Sequence, residues 1–176
     1  LLNNADYVIF DLETTGLSAR YDRIIEFGAT KYSHGQEYDK RDFFINPNRK
    51  LRDVIKNKTN ITQEMVDGGK PIKEALQEIL DYFGDAVIID HNAAFDIGFL
   101  NEALKKNGLP EIKNPIIDTL PWSRYMFPKQ RSHTLEAVAR TLGIEYDETK
   151  VHRAIYDAEV LEAVYIGMLS RVSEEN

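Results

Sequence analysis

Residues 7–17 read YVIFDLETTGL, an apolar run of strand-forming residues that ends in two acids and a Thr-Thr-Gly turn. A continuous apolar run of this length is typical of a strand buried on both faces of a sheet. Side chains at positions i and i+2 of a strand point to the same face, so Asp11 and Glu13 project together while Leu12 points away. Two adjacent carboxylates repel each other unless a cation binds there. The alternative is that both are solvent-exposed acids at the end of a strand.

The strands that follow predict a mixed sheet. Residues 24–32 and 38–45 are predicted to form a second and a third strand, joined by a turn at His34-Gly35. Tight connections between short strands indicate an antiparallel meander. Further short apolar runs, at 87–89 and 116–117, then alternate with helical patterns. This order predicts an α/β fold with a mixed five-stranded sheet flanked by helices, and a ligand site at the carboxyl ends of the strands.

Helices are predicted from apolar spacing and from capping residues. Thr62 is suited to cap a short helix that ends at residue 66, and Pro71 is suited to begin the next one, over 71–83. Another helix follows the fourth strand and ends near residues 107–108, and Asp118-Thr119 caps a short one. The last two are predicted over 134–142 and 154–172, with a frayed end over 173–176.

Composition sets the broad class. The chain has 176 residues, a net charge of -7 and no cysteine. We therefore expect one domain over residues 1–176, without disulfides or thiolate metal sites. No apolar run approaches the roughly 20 residues that span a bilayer, and no signal peptide is recognisable, so a cytoplasmic location is expected. Because the chain starts at Leu1 rather than at methionine, we expect a domain excised from a longer polypeptide.

The charge distribution bears on nucleic-acid binding. An acidic protein is a poor candidate for coating long nucleic acid, but it can still grip a strand end, where few phosphates are neutralised. Residues 48–58 hold five basic residues against one acid, and Arg124, Lys129 and Arg131 form a second group. Either group is a solvated surface or steers a phosphate backbone.

Near the end of the chain, Asp157 shares a helical face with apolar residues such as Ala154 and Leu161. An acid on such a stripe is uncommon unless it is paired or binds a metal ion. His152 lies about 140° away around an ideal helix, so it reaches the same site only from the turn before the helix. Such a position suits a proton-transfer group; a surface histidine is the alternative.

In mid-chain, Asp96 also falls on an apolar helical face, with Asn92 as a possible cap of that helix. An acid that stabilises the helix dipole is the structural alternative. Other polar and aromatic candidates are assigned structural roles. Asp118 is expected to cap a helix, Glu26 to face solvent or a basic partner, and His133 to be structural. Trp122, Tyr125 and Phe127 are expected to pack in the core, with stacking on bases as the alternative.

Three motifs together resemble a known family. DLETTGL at 11–17, HNAAFD at 91–96 and HRAIYD at 152–157 occur in the order and spacing of the DEDDh (DnaQ-like) 3′→5′ exonucleases. The resemblance covers nearly the whole chain. Within the family, the sequence is most similar to the exonuclease domain of PolC-type bacterial DNA polymerase III, with the proofreading epsilon subunit next.

This resemblance implies a ribonuclease H-like fold and two divalent metal ions, Mg²⁺ or Mn²⁺. Asp11, Glu13 and Asp157 would hold the ion that positions the attacking water. Asp11 would also hold the second ion, and Asp96 would complete the set directly or through water. His152 would be the general base, so these five residues are the predicted catalytic residues.

The resemblance also implies a substrate site. The turn Thr14-Thr15-Gly16-Leu17 would contact the terminal sugar and base, and Asn92 and Phe95 would line the nucleotide pocket. Asn60 stands where relatives often have glycine, but asparagine tolerates the same left-handed backbone.

The expected function is release of nucleoside monophosphates from single-stranded or frayed 3′ ends of DNA, as a proofreading exonuclease. The expected partners are replicative polymerase domains in the same chain or complex, and no membrane. A free-standing exoribonuclease that acts on RNA or short oligonucleotides is the first alternative. A non-catalytic nucleic-acid-binding module is the second.

Overall fold

The computed structural model describes residues 5–150 and 152–175, the last three as backbone only. A five-stranded sheet with strand order β3-β2-β1-β4-β5 forms its centre. β1 pairs antiparallel with β2 and parallel with β4, so the carboxyl ends of β1 and β4 lie side by side. The predicted mixed sheet is thus confirmed. Its strands are β1 (Tyr7–Thr14), β2 (Ile24–Ser33), β3 (Gln36–Phe44), β4 (Val87–Asp90) and β5 (Ile116–Asp118).

Helices cover both faces of the sheet. Val8 and Phe10 of β1 pack in a cluster with residues of the third and fourth helices, whereas Tyr7 and Ile9 face the seventh. Within the described chain, no helix combines the length and the apolarity that a bilayer-spanning segment needs. The helices are α1 (Asp53–Thr59), α2 (Gln63–Asp67), α3 (Ile72–Phe83), α4 (Ala93–Lys106), α5 (Thr119–Met126), α6 (Leu135–Thr141) and α7 (Ala154–Glu175).

Most predicted elements are present, with differences at their ends. The side chains of Thr62, Asp118 and Thr134 accept the N-terminal hydrogen bonds of α2, α5 and α6, as expected of caps. β3 begins two residues before the predicted start, and α7 continues as helix to Glu175, beyond the predicted end and through most of the segment expected to fray. Asn176 lies outside the described residues. α1 was missed because it lies in the basic run, where apolar spacing is weak.

The N-terminus of α7 packs directly against β2 at Gly28. A Cβ atom at this position would lie 2.2 Å from the backbone nitrogen of Ile155, a distance that real Cβ atoms do not reach. The absent side chain therefore lets the helix backbone approach the strand. This close approach places the first turn of α7 beside the end of β1.

The buried acid Glu26 of β2 fixes the same helix end. Its carboxylate accepts a hydrogen bond of 2.6 Å from the backbone N–H of Ala154, the first residue of α7. It also accepts hydrogen bonds from Nε and Nη2 of Arg153, at 3.2 and 3.0 Å. A fully buried carboxylate needs such partners, since an unpaired charge in the interior is strongly unfavourable. The expectation of a basic partner for Glu26 is confirmed, and exposure to solvent is not.

We predict that Gly28→Ala lowers the free energy of unfolding by about 1–3 kcal/mol or more, because the new methyl group overlaps the backbone of α7. Gly98→Ala in α4 is the matched control. A Cβ atom at Gly98 would meet nothing within 4 Å, so alanine should raise the same free energy by about 0.5–1 kcal/mol through helix propensity. Urea denaturation of the two variants measures both values. Equal effects would show that the contact of α7 with β2 is not constrained at Gly28.

Candidate active site

A cleft of about 660 Å³ opens at the carboxyl ends of β1 and β4, beside the first turns of α4 and α7. Ligand sites of α/β sheets are expected at this edge. The side chains predicted from the sequence as catalytic all line this cleft: Asp11, Glu13, Asp96, His152 and Asp157.

The acids form two adjoining groups. In one, ligand atoms of Glu13, His152 and Asp157 all lie within 4.8 Å of one another. In the other, carboxylate oxygens of Asp11, Asp90 and Asp96 all lie within 4.8 Å of one another, and Asp90 was not predicted from the sequence. Each group has the spacing and the donor types that can hold a cation.

Four elements supply the carboxylates: β1, β4, α4 and α7. Asp11 and Glu13 are two residues apart on β1, and the strand has an irregularity just after Glu13. Asp96 lies in the first turn of α4, whose start is held by Asp118. The carboxylate of Asp118 accepts hydrogen bonds from the backbone N–H groups of Asn92 and Ala93, at 2.9 and 3.1 Å. Asn92 occupies the N-cap position in a left-handed conformation, but its side chain makes no capping hydrogen bond. Asp118 thus caps two helices.

His152 reaches the site from the turn that precedes α7, as the helical geometry required. Its backbone has a φ of 62°, in the left-handed region. Arg153 follows it and is bound by Glu26, so the turn is held on both the strand and the helix side. Asp157 lies one turn into α7 and is 8% exposed. Its Oδ1 atom is buried without a hydrogen-bond partner.

Proximity and burial disfavour the charged forms of these acids. Burial, followed by the charge of Asp157, raises the pKa of Glu13 to about 9. Burial also raises the pKa of Asp157 to about 7. The pKa values of Asp11 and Asp96 rise well above the usual range, through burial and then through the charges of neighbouring acids. Such shifts are typical of sites that bind cations or transfer protons.

The turn after β1 is folded around Asp22. Its carboxylate accepts hydrogen bonds from the hydroxyl of Thr15 and the backbone N–H of Ser18, at 3.2 and 3.0 Å. A Cβ atom on Gly16 would lie 2.4 Å from this carboxylate, so only glycine fits without a rearrangement. Thr15 is buried and supports the turn rather than lining the cleft.

The other residues predicted to contact the substrate lie on the cleft wall. These are Thr14, Gly16, Leu17, Asn92 and Phe95. The Leu17 side chain is 84% exposed, although it is large and apolar. Phe95 is partly buried against Phe99, with ring centroids 5.0 Å apart. The cleft therefore offers apolar surface next to its acids, which suits a ligand with both a planar apolar part and a polar part.

The sequence-based prediction missed one site residue and included two others only as members of a basic run. Arg52 and Lys58, from the basic run, border the cleft, and Nη2 of Arg52 donates to the carbonyl of Thr15 at 2.9 Å. Only the density of charge in that run hinted at them. Asp90 ends the buried strand β4 and was overlooked because the predicted strand stopped one residue earlier. An acid that follows three apolar residues and precedes a polar loop was the available signal.

Two histidines and a tyrosine bear on smaller expectations. His133 is structural as expected: its ring nitrogens contact the hydroxyl of Ser123 and the carbonyl of Gln130, both at 3.0 Å. His91, which had no assigned role, bridges Thr119 and the His133 carbonyl. The expectation of core packing is wrong for Tyr125, which is 87% exposed.

A larger groove, of about 920 Å³, lies between β3 and α3. Its central acid is already paired: Glu78 accepts a hydrogen bond of 2.7 Å from Arg41 and also binds Lys70. Partly exposed charges that neutralise each other need no ligand, although such pairs add little to stability. The cleft at the strand ends, with its unpaired acids, is the stronger candidate for an active site.

The chain is similar in sequence to bacterial DNA polymerases III of the PolC type. It is 41% identical over 175 residues to the PolC-type DNA polymerase III of Bacillus cereus and 44% identical over 158 residues to that of Pediococcus pentosaceus. These alignments cover 99% and 90% of this chain but only 12% and 11% of the relatives. The chain thus spans about a tenth of the length of the polymerases that it matches.

Solved exonuclease structures share the fold. The nuclease domain of 3′hExo, a DEDDh family member bound to rAMP, superposes with a TM-score of 0.81 and 21% identity, covering 96% of this chain and 93% of that one. Exonuclease X in complex with 5′ overhanging duplex DNA gives a TM-score of 0.72 and 24% identity, covering 94% and 92%. The ribonuclease H-like fold implied by the motifs is therefore confirmed.

A model of the exonuclease family matches residues 8–165, which include every residue of the cleft discussed above. Taken with the polymerase relatives, this match confirms the family indicated by the three motifs. The chain belongs to the exonuclease family.

Proposed function

We propose that this chain is a metal-dependent 3′→5′ exonuclease domain that removes nucleoside monophosphates from the 3′ end of DNA, as the proofreading part of a replicative polymerase. One observation carries the proposal: Asp11, Glu13, Asp96, Asp157 and His152, from three separate regions of the chain, converge on one cleft. Acids held this closely, with raised pKa values and unpaired buried oxygens, need positive charge to be ionised together.

The donor set fits two divalent ions, Mg²⁺ or Mn²⁺. Carboxylate oxygens are the ligands that these hard cations prefer, and the cleft supplies them in two adjoining groups. We assign Asp11, Glu13 and Asp157 to one ion and Asp11 and Asp96 to the other. When bound, such ions stabilise both the entering and the leaving oxygen of a phosphodiester.

His152 is proposed as the proton acceptor for the attacking water. Burial, and then the charge of Lys58, lowers the pKa of its imidazole, which keeps the ring neutral near neutral pH. A neutral imidazole can take a proton, and the carboxylates beside it stabilise the cation that forms. The turn between β1 and Asp22 would hold the terminal nucleotide, with Leu17 against the base. Arg52 and Lys58 would contact its phosphates.

The polymerase context rests on similarity. The relatives over nearly the whole chain are PolC-type polymerases of which this chain matches about a tenth. We therefore propose that residues 1–176 act as one exonuclease domain of a longer polymerase chain. DNA is favoured because structural neighbours hold DNA, including Exonuclease I of E. coli in complex with a dT13 oligonucleotide (TM-score 0.79, 19% identity, covering 94% of this chain and 41% of that one).

RNA is the second candidate substrate, since the nuclease domain of 3′hExo is bound to rAMP. Matched DNA and RNA oligomers of one sequence, each with a mismatched 3′ end, separate the two. The proposal expects faster release of deoxynucleoside monophosphates. Faster turnover of the RNA would contradict the proofreading role and support an exoribonuclease function, with the same site residues.

For the proton acceptor, we predict that His152→Asn lowers kcat by about 10²–10⁴-fold, because the proton acceptor is lost. Asparagine tolerates the left-handed backbone at this position, so the turn should keep its shape. The rate of nucleotide release from a single-stranded oligomer with Mn²⁺ measures the effect.

The matched control for this variant is His34→Asn. His34 is exposed, has a similar φ of 54°, and lies in the β2–β3 turn, at the other end of the sheet from the cleft. This control should retain full activity. If His152→Asn also retained it, a role for His152 as base would be excluded.

The shifted acids predict how stability depends on pH. Glu13 has a pKa of about 9 in the folded chain against a reference of 4.5, and Asp157 about 7 against 3.8. Because folding raises both values, the native state binds protons more tightly, and its stability falls as pH rises from about 4 to about 9. A bound Mn²⁺ or Mg²⁺ ion should neutralise the ionised carboxylates in place of the protons and so cancel this loss of stability. The increase in Tm on adding metal should therefore grow with pH.

Thermal unfolding of the wild type and of Glu13→Gln, with EDTA or with Mn²⁺, measures this effect. Glutamine carries no charge at any pH, so the variant should lose less stability than the wild type on going from pH 5 to pH 8 in EDTA. A metal-induced increase in Tm that is independent of pH would contradict the proposed cation site.

A further inference from the structure

Asp90 is an acid of the cleft region that none of the roles above uses. It is the last residue of β4 and is 1% exposed. It does not line the cleft, so it lies beneath the surface that a substrate would touch. Its neighbours on β4, Ile88 and Ile89, are fully buried in the apolar clusters on the two faces of the sheet.

Neither carboxylate oxygen of Asp90 has a hydrogen-bond partner in the described chain. None of the ion pairs among the described residues includes it either. A buried carboxylate without donors or counter-charge is strongly unfavourable, by several kcal/mol or more. Asp118, its register partner on β5, is in contrast satisfied by three backbone N–H groups.

The unpartnered carboxylate is directed at other acids. One of its oxygens lies within 4.8 Å of oxygens from both Asp11 and Asp96, the two residues assigned above to the second ion. Like charges at this separation repel, so this arrangement is stable as a fully ionised group only around a cation. Three oxygen donors that converge from β1, β4 and α4 also match the requirement of a hard divalent ion.

We propose that Asp90 is a fifth acidic member of the metal centre, which would help to hold the cation assigned to Asp11 and Asp96 from beneath the surface of the cleft. This inference rests on the proposed metal-dependent function. The extra carboxylate would strengthen binding of that ion, since the number of charged ligands raises the affinity of a site for divalent cations. Asp90 would thereby affect one ion more than the other.

The test is a calorimetric titration of the chain with Mn²⁺ alone, for the wild type and for Asp90→Asn. Asparagine keeps the shape of the side chain and removes its charge. We expect the affinity for one of two Mn²⁺ ions to fall by about 10–100-fold, the range found when groups that support a metal are lost. In EDTA, the variant should melt at the same or a higher temperature, because asparagine is neutral beside Asp11 and Asp96 without binding a proton, and its amide can donate a hydrogen bond.

Glu162→Gln is the matched control. Glu162 lies on α7, binds the hydroxyl of Tyr32, and has one buried carboxylate oxygen without a partner, but it does not line the cleft. Its loss of charge should leave both Mn²⁺ affinities unchanged. If Asp90→Asn fails to fold by circular dichroism, Asp90→Ser supplies the same comparison with a smaller side chain.

Wild-type affinity for both ions in a folded Asp90 variant would overturn the inference. Asp90 would then be a protonated acid that shares a hydrogen bond with Asp96, a role that asparagine can fill. No Mn²⁺ binding by the wild type would overturn the proposed function as well. The two failures are therefore distinguishable in one series of titrations.

Discussion

Carboxylates from β1, α4 and α7 lie close enough at one end of the sheet to repel each other, and the surrounding structure keeps them there. Unit charges 4–5 Å apart interact by about 3–4 kcal/mol at an effective dielectric constant of about 20. Since a domain is stable by only about 5–15 kcal/mol, a few such pairs would offset the whole free energy of folding. Without metal, protons must relieve the repulsion, which is the meaning of the raised pKa values of Glu13 and Asp157. In the proposed metal-bound state, a cation would replace these protons.

Two polar residues, Glu26 and Asp118, and the absence of a side chain at Gly28 hold the site in place. Additional apolar packing is not what positions it. Glu26 holds Arg153 and the first N–H of α7, and Gly28 lets that helix approach β2. Asp118 holds the start of α4. Each of these residues acts on the end of a helix that carries an acid of the cleft. The geometry of the site thus depends on three residues that need not touch a substrate.

Much of this organisation could be predicted from the sequence. The apolar run of β1 identified the central strand, and the two-residue spacing of Asp11 and Glu13 placed both acids on one face of it. Helical spacing placed Asp96 and Asp157 on the apolar, core-facing sides of their helices. These patterns are local, so a few neighbouring residues contain them. The turn position of His152 followed from the same helical geometry.

The remainder depended on contacts between distant segments. Glu26 and Arg153 are paired across 127 positions of the chain, and no periodicity reveals such a pair. α1 has too few apolar residues for its helical pattern to stand out from the basic run. Asp90 was missed because a strand boundary was placed one residue early, and because its acidic neighbours come from β1 and α4. Tyr125 was misjudged because aromatic residues are usually packed, whereas this one is exposed.

Anomalous scattering from crystals soaked in Mn²⁺ would test the central claim most directly, since it locates cations without depending on activity. We predict peaks in the cleft, one beside Glu13 and Asp157 and one beside Asp11 and Asp96, with carboxylate oxygens at about 2.0–2.5 Å. Mn²⁺ peaks only on other surfaces, with the cleft acids ordered and metal-free at neutral pH, would contradict it.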